Sequence, residues 1–241
     1  MTYKKTIAIF GAGPGLGASV AARFGAEGYR VALVARRAEP LQARVAELAS
    51  AGIEAAAFPA DLGRLDGIPA LVRAIEERFG AIDVAVYAPV PSMFGFVPAT
   101  EVSAQVLQSA ADLFLYAPVE VARAVLPGQL ERGDGAVVIV GGLSALMPVP
   151  GLAAIGPVMA AARNYALVLN AEAKARGIYA GSVSIGAMID RSAGKLALEA
   201  QGVKLEGDLP TMDPDDIAQE IWALVTGRDR TEAILPPLPT A

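Results

Sequence analysis

The sequence predicts one α/β domain over residues 1–241, a doubly wound, seven-stranded parallel sheet with helices on both faces. Short apolar runs rich in β-branched residues alternate with longer segments of helical spacing, the pattern of repeated strand–helix–strand units. A chain of 241 residues suffices for one such domain with a full core, but not comfortably for a second beside it. Hydrophobic residues make up 54% and charged residues 19%, which suits a sheet covered on both sides or a chain that buries further surface in an oligomer.

The strand at 6–10 (TIAIF) leads into GAGPGLG at 11–17 and a helix at 17–27. Strands follow at 30–35, 54–59 and 84–87, separated by helices at 38–50 and 67–79. The Pro-rich PVPSMFGFVPA (89–99) reads as a loop, followed by a helix at 103–130, a strand at 135–140 and a second loop, GGLSALMPVPG (141–151). A helix at 153–176 and a strand at 179–185 come next, then a helix at 214–226 and a last strand at 233–235. The helix at 214–226 has a clear start: Asp213 reads as its N-cap, Pro214 as its first residue, and Asp215 and Asp216 sit well in the first turn. The C-terminal LPPLPTA reads as a surface strap or loose tail.

Composition removes several chemistries. The chain contains no cysteine and no histidine, so disulfides, thiolate nucleophiles and the commonest metal ligands and general base are excluded, and no metal is expected. The net charge of −5 and the scattered 20 Lys and Arg argue against nucleic acid and anionic membrane as partners. MTYKK enters the first strand without the pattern of a signal peptide, and no apolar stretch reaches the length of a membrane span, which predicts a cytoplasmic protein.

Glycines at 11, 15 and 17 fall where a strand must turn tightly and where a pyrophosphate would approach backbone N–H groups at the start of a helix. The spacing is G-x-x-x-G-x-G, since Leu16 occupies the place that a strict G-x-G-x-x-G would give to glycine. Arg36 and Arg37 follow Gly17 by 19 and 20 residues, the distance at which an adenine ribose is read. An acidic residue there favours the 2′-hydroxyl of NAD, whereas two guanidinium groups favour the 2′-phosphate of NADP. Asp61 and Leu62, after the third strand, stand where a carboxylate and an apolar contact would bound an adenine edge.

GAGPGLG, VARR, ADL, AIDVAVYAP, RAVLP, GAVVIV, AARNYALVLNAEAKARGI and VSIGAMID together resemble the short-chain dehydrogenase/reductase family over nearly the whole chain. The resemblance implies a Rossmann sheet, a homodimer or homotetramer, a small-molecule substrate and NADP(H) across the carboxyl ends of the strands. It places cofactor contacts at Gly11, Gly13, Gly15, Leu16, Gly17, Arg36, Arg37, Asp61, Leu62, Ala88, Gly186 and Met188. Two charge-poor helices, 103–130 and 153–176, are consistent with an oligomer.

The family's Ser, Tyr, Lys and Asn fall, by the same resemblance, on Gly142, Ile155, Met159 and Phe114, and no Tyr-x-x-x-Lys occurs anywhere in the chain. Substitute catalytic groups are Asp190, Tyr87 and Ser144, with Arg191, Asp112 and Tyr116 nearby in sequence terms. Phe94, Phe96, Phe114, Met147, Ile155, Met159 and Met188 are expected to line an apolar pocket. Three functions fit: reduction of an imine, an iminium or another activated electrophile that needs no protein acid; a non-redox cyclase or isomerase; or a catalytically silent NADP(H)-binding protein.

Overall fold

The run Thr6–Phe10 (β1) has no water-facing side: Ile7 and Ile9 enter the core on one face of the sheet, Ala8 and Phe10 on the other. The computed structural model describes residues 3–90, 96–200 and 210–238. After β1 come α1 (Leu16–Ala26), β2 (Arg30–Ala35), α2 (Ala38–Ser50), β3 (Ala55–Pro59), α3 (Ile68–Phe79) and β4 (Val84–Tyr87). The second half holds α4 (Ala104–Ala111), α5 (Ala117–Arg132), β5 (Gly135–Gly142), α6 (Gly156–Ala173), β6 (Ile178–Ile185), β7 (Met188–Ile189), α7 (Ala193–Ala200), β8 (Thr211–Met212), α8 (Pro214–Gly227) and β9 (Glu232–Leu235).

Seven strands pair in the order β3-β2-β1-β4-β5-β6-β9, all parallel. The order reverses between β1 and β4, so a crevice opens at the carboxyl ends of Phe10 and Tyr87. On one face α1, α2 and α8 bury Phe24, Leu41, Leu48, Ile217 and Ile221. Phe24 meets Trp222 and Tyr29 edge-on, with ring centroids 5.0 and 5.3 Å away. On the other face α3 and α5 bring Val72, Ile75, Phe79, Val121 and Val125 against Phe10 and Val34, and α6 adds Tyr165 and Leu169. Arg163 of α6 and Glu232 of β9 form a two-pronged ion pair, one arm 2.7 Å long, that ties helix to edge strand.

The structure corrects the reading of 103–130 as one helix, because a π turn, Asp112–Tyr116, separates α4 from α5. In the turn the Ala117 N–H donates to the Asp112 carbonyl, five residues back. The next bond in that register would need an N–H from Pro118, which has none. The Leu113 carbonyl is thereby left without a backbone donor. The expected loop at 141 begins two residues later, since Gly141 and Gly142 still pair with Ser184 and Ile185 of β6. The pair β7·β8 and the helix α7 were not foreseen: two-residue strands and one eight-residue helix are too short for periodicity to reveal. The end of the expected C-terminal strap, 239–241, lies outside the described residues.

Candidate active site

Gly11 leaves β1 at φ +105, and a Cβ there would stand 2.6 Å from the Ala88 carbonyl carbon, so only glycine fits beside the β4 exit. The N–H groups of Gly11 and Ala12 donate to the Val34 carbonyl at 2.9 and 2.8 Å, which wraps the turn around the end of β2. Gly13 faces open space. Among the described residues nothing accepts from the N–H groups of Gly15, Leu16 or Gly17, the unfilled donors of the α1 start. Ala88 donates to the Phe10 carbonyl at 2.8 Å, and Gly17 packs on Ala12.

Arg36 and Arg37 are exposed at the end of β2, and no ion pair or hydrogen bond joins either to the described residues. Asp61 is exposed and its carboxylate accepts the Gly63 N–H at 3.0 Å. The side chains of Leu16 and Leu62 both turn into the core, at 7% and 4% exposure, leaving only their backbone groups to meet a ligand. Across the crevice, Gly186 donates its N–H to the Leu235 carbonyl at 2.6 Å and packs against Leu143, and Met188 donates to the Pro210 carbonyl at 2.8 Å.

Gly142 ends β5, Ile155 caps α6, and Met159 lies one turn further on. These positions converge. The Met159 Sδ accepts the Gly142 N–H at 3.3 Å and lies 4.0 Å from the Ser144 Oγ. A Cβ at Gly142 would stand 3.6 Å from that sulfur and 3.5 Å from the Ser144 Oγ, so the Ser144 hydroxyl borders the space a side chain at 142 would use. Phe114 and Val158 are buried with Ala110 and Ala111, and Ile155 and Met159 pack on them, giving the chamber an apolar wall. A cavity of about 10 Å³ beside it, room for one water at most, is bounded by Tyr87, Met159, Arg163 and Ser184. The buried Ser184 Oγ has no partner among the described residues.

Tyr87 and Asp190 do not behave as the sequence suggested. The Tyr87 hydroxyl, 2% exposed, donates to the Leu113 carbonyl at 2.5 Å, and burial drives its pKa strongly upward. It fills the vacancy left by Pro118. Asp190 pairs with Lys195 at 2.7 Å, and that hydrogen bond holds its carboxyl below the ordinary value of 3.8, so it is an anion at neutral pH and no proton donor. Asp112 and Tyr116 are exposed on the π turn. Phe96 and Met147, at 68% and 44% exposure, lie on the rim and do not line the chamber; Phe94 falls outside the described residues.

Sequence reasoning passed over Lys195 as a partner for Asp190, and gave Arg191 no partner. Arg191 lies in the left-handed region at φ +56 and reaches Asp213 at 2.7 Å and Asp215 at 3.0 Å. The signal was present in DRSAGK, but its pairing needs the short α7. Among the described residues no cluster of three or more carboxylates is placed to hold a metal ion, and no helix is long and apolar enough to cross a membrane.

A doubly wound parallel sheet with a glycine turn between β1 and α1 and a crevice at the strand-order reversal defines a Rossmann-type dinucleotide fold. The short chain dehydrogenase family model matches residues 5–197, and the chain belongs to that family of oxidoreductases. It is 33% identical over 134 residues to a fatty acyl-CoA reductase of Mycobacterium tuberculosis, covering 56% of this chain and 46% of that protein. It is 30% identical over 186 residues to the inactive hydroxysteroid dehydrogenase-like protein 1 of Mus musculus, covering 75% of this chain and 55% of that one. The chain thus spans about half the length of these curated relatives. The solved structure of a metagenomic short-chain oxidoreductase in complex with NADP superposes with a TM-score of 0.79 at 24% identity, over 98% of both chains, which establishes the fold.

Proposed function

We propose that this chain is an NADP(H)-dependent oxidoreductase that reduces an imine, an iminium or another activated electrophile without the family's tyrosine acid. The observation that carries the cofactor assignment is the pair Arg36 and Arg37 beside the glycine turn, neither of which has a partner among the described residues. Both guanidinium groups are free to grip a 2′-phosphate, the free N–H groups of Gly15, Leu16 and Gly17 suit a pyrophosphate, and the Asp61 carboxylate suits an adenine amine. NADPH, when bound, supplies a hydride.

The chain's own groups then define what electrophile it suits. Gly142, Ile155, Met159 and Phe114 stand at the four positions where the family resemblance puts its acid and its supporting groups, and none of them holds a proton to give. Ser144 offers one hydroxyl for orientation, next to the Met159 sulfur. An iminium carbon accepts a hydride to become an amine with no further proton, so a dry, apolar wall and good positioning are sufficient. A ketone reduced here would lose the factor of about 10² to 10⁴ that a general acid contributes. The exposed Tyr116 and Val168 on the outer sides of the π turn and α6 suit a contact between copies of the chain, in a homodimer or homotetramer.

The test is a fluorescence titration with NADPH and NADH, followed by a panel of cyclic imines and ketones read at the NADPH absorbance. Wild type should prefer NADPH, and Arg36→Ala/Arg37→Ala should lose that preference by about 30-fold or more, as two charge-assisted hydrogen bonds of about 1–1.5 kcal/mol each imply. Equal affinity for both cofactors, or turnover of ketones with none of imines, overturns the reading. A second reading, an NADP(H)-binding protein without turnover, is favoured by the engagement of Tyr87 with Leu113 and of Asp190 with Lys195. Cofactor binding with no turnover across the panel would select it.

A further inference from the structure

One residue of the glycine turn, Gly15, is in close contact with a neighbouring segment. A Cβ at Gly15 would stand 3.0 Å from the Ser192 Cα and 3.1 Å from both the Asp190 carbonyl oxygen and the Ser192 nitrogen. Backbone of 190–192 therefore lies in contact with the turn on which a pyrophosphate would rest, and a dinucleotide bound there would abut this segment. What holds it is a set of solvent-accessible ion pairs. Arg191 reaches Asp213 and Asp215 at the start of α8, and Lys195 holds Asp190. Asp215 also takes a hydrogen bond from Ser19, the fourth residue of α1. The rise of an α-helix puts Ser19 about 6 Å along the axis from Gly15. The Arg191 guanidinium is thus parked roughly one helical turn from the phosphate turn, on partners whose side chains are half exposed or more.

Pairs this exposed are screened and weak, so they yield readily to a stronger anion. A pyrophosphate is such an anion: it concentrates two charges and accepts a guanidinium fork in the plane that suits it. We propose that Arg191 is a phosphate-binding residue held in reserve by Asp213 and Asp215, and that 190–192 covers Gly15 until a dinucleotide draws Arg191 across. The inference rests on the NADP(H) reading above and adds to it a residue, and an order of events, that the glycine turn alone does not imply. Bound in this way, Arg191 replaces part of the cationic hold that a lysine at position 159 would have given.

The test uses the full chain and calorimetric titration with NADP⁺. Asp213→Asn/Asp215→Asn removes the competing charges while asparagine keeps both the α8 cap and the acceptor for Ser19. It should tighten NADP⁺ between about twofold and tenfold, because a competing state that withholds the site lowers apparent affinity by its own population. Arg191→Met breaks the same pairs but removes the phosphate partner, so it should weaken NADP⁺. Amide exchange over residues 15–19 should quicken in both variants without ligand. An Asp213→Asn/Asp215→Asn chain that binds no better than wild type, or an Arg191→Met chain that binds as tightly or more tightly, overturns this proposal and leaves the NADP(H) reading standing. No NADP⁺ binding by wild type or either variant overturns both.

Discussion

Replacing Tyr87 by phenylalanine removes one oxygen atom and separates a structural phenol from a catalytic one. The hydroxyl donates at 2.5 Å to the Leu113 carbonyl, which the π turn and Pro118 leave with no backbone donor. Tyr87 is 2% exposed, and the cavity beside it has room for one water at most. A buried carbonyl left unpaired costs about 1–3 kcal/mol, which for a chain of this length lowers Tm by about 2–12 °C. Urea unfolding of wild type, Tyr87→Phe, Pro118→Ala and the double variant measures the effect as a cycle. Alanine at 118 restores an N–H that can serve Leu113, so Tyr87→Phe should cost at least about 1 kcal/mol less in that background. Additivity within about 0.5 kcal/mol, or a stable Tyr87→Phe protein whose turnover collapses, would refute the assignment.

Thr6→Val should leave the fold intact and raise stability by about 1 kcal/mol in thermal or urea unfolding, because the Thr6 Oγ1 is buried without a partner among the described residues and a methyl of the same shape removes that penalty. A loss of stability would mean the hydroxyl is paired. For Asp190, the hydrogen bond from Lys195 lowers the folded pKa below 3.8, so the pair's contribution is present above about pH 4 and is lost as pH falls through the folded value. Carboxyl ¹³C shifts should therefore place the Asp190 midpoint below 3.8, and Lys195→Met should raise it; a wild-type midpoint at or above 3.8 contradicts the pairing.

The sheet was legible because its strands are dense β-branched runs whose ends the chain marks with glycine, proline or charge. Thr6–Phe10, Arg30–Ala35 and Val84–Tyr87 fall where the sequence puts them to the residue. Arg36, Arg37 and Asp61 stand just past the ends of β2 and β3, a place that depends only on distance along the chain. The break in 103–130 was not, because it depends on Pro118 acting together with a phenol from β4, thirty-one positions earlier in the chain. The engagement of the Tyr87 hydroxyl was hidden for a related reason. A strand tip fixes where a side chain starts, but the π turn across from it decides where the hydroxyl ends. The pairing of Asp190 was hidden because its cation lies on a helix of eight residues, too short to register as a helical pattern.

Glu232 binds Arg163 from the outermost strand, and β9 pairs with β6 alone. A chain clipped before that strand would strand the Arg163 guanidinium and leave the four buried residues of β6 that β9 pairs with, 182–185, as an unguarded flank. Such a flank recruits strands from other molecules. β9 therefore shields that flank against self-association, and proteolytic removal of the strand should yield insoluble protein before it yields an unfolded one.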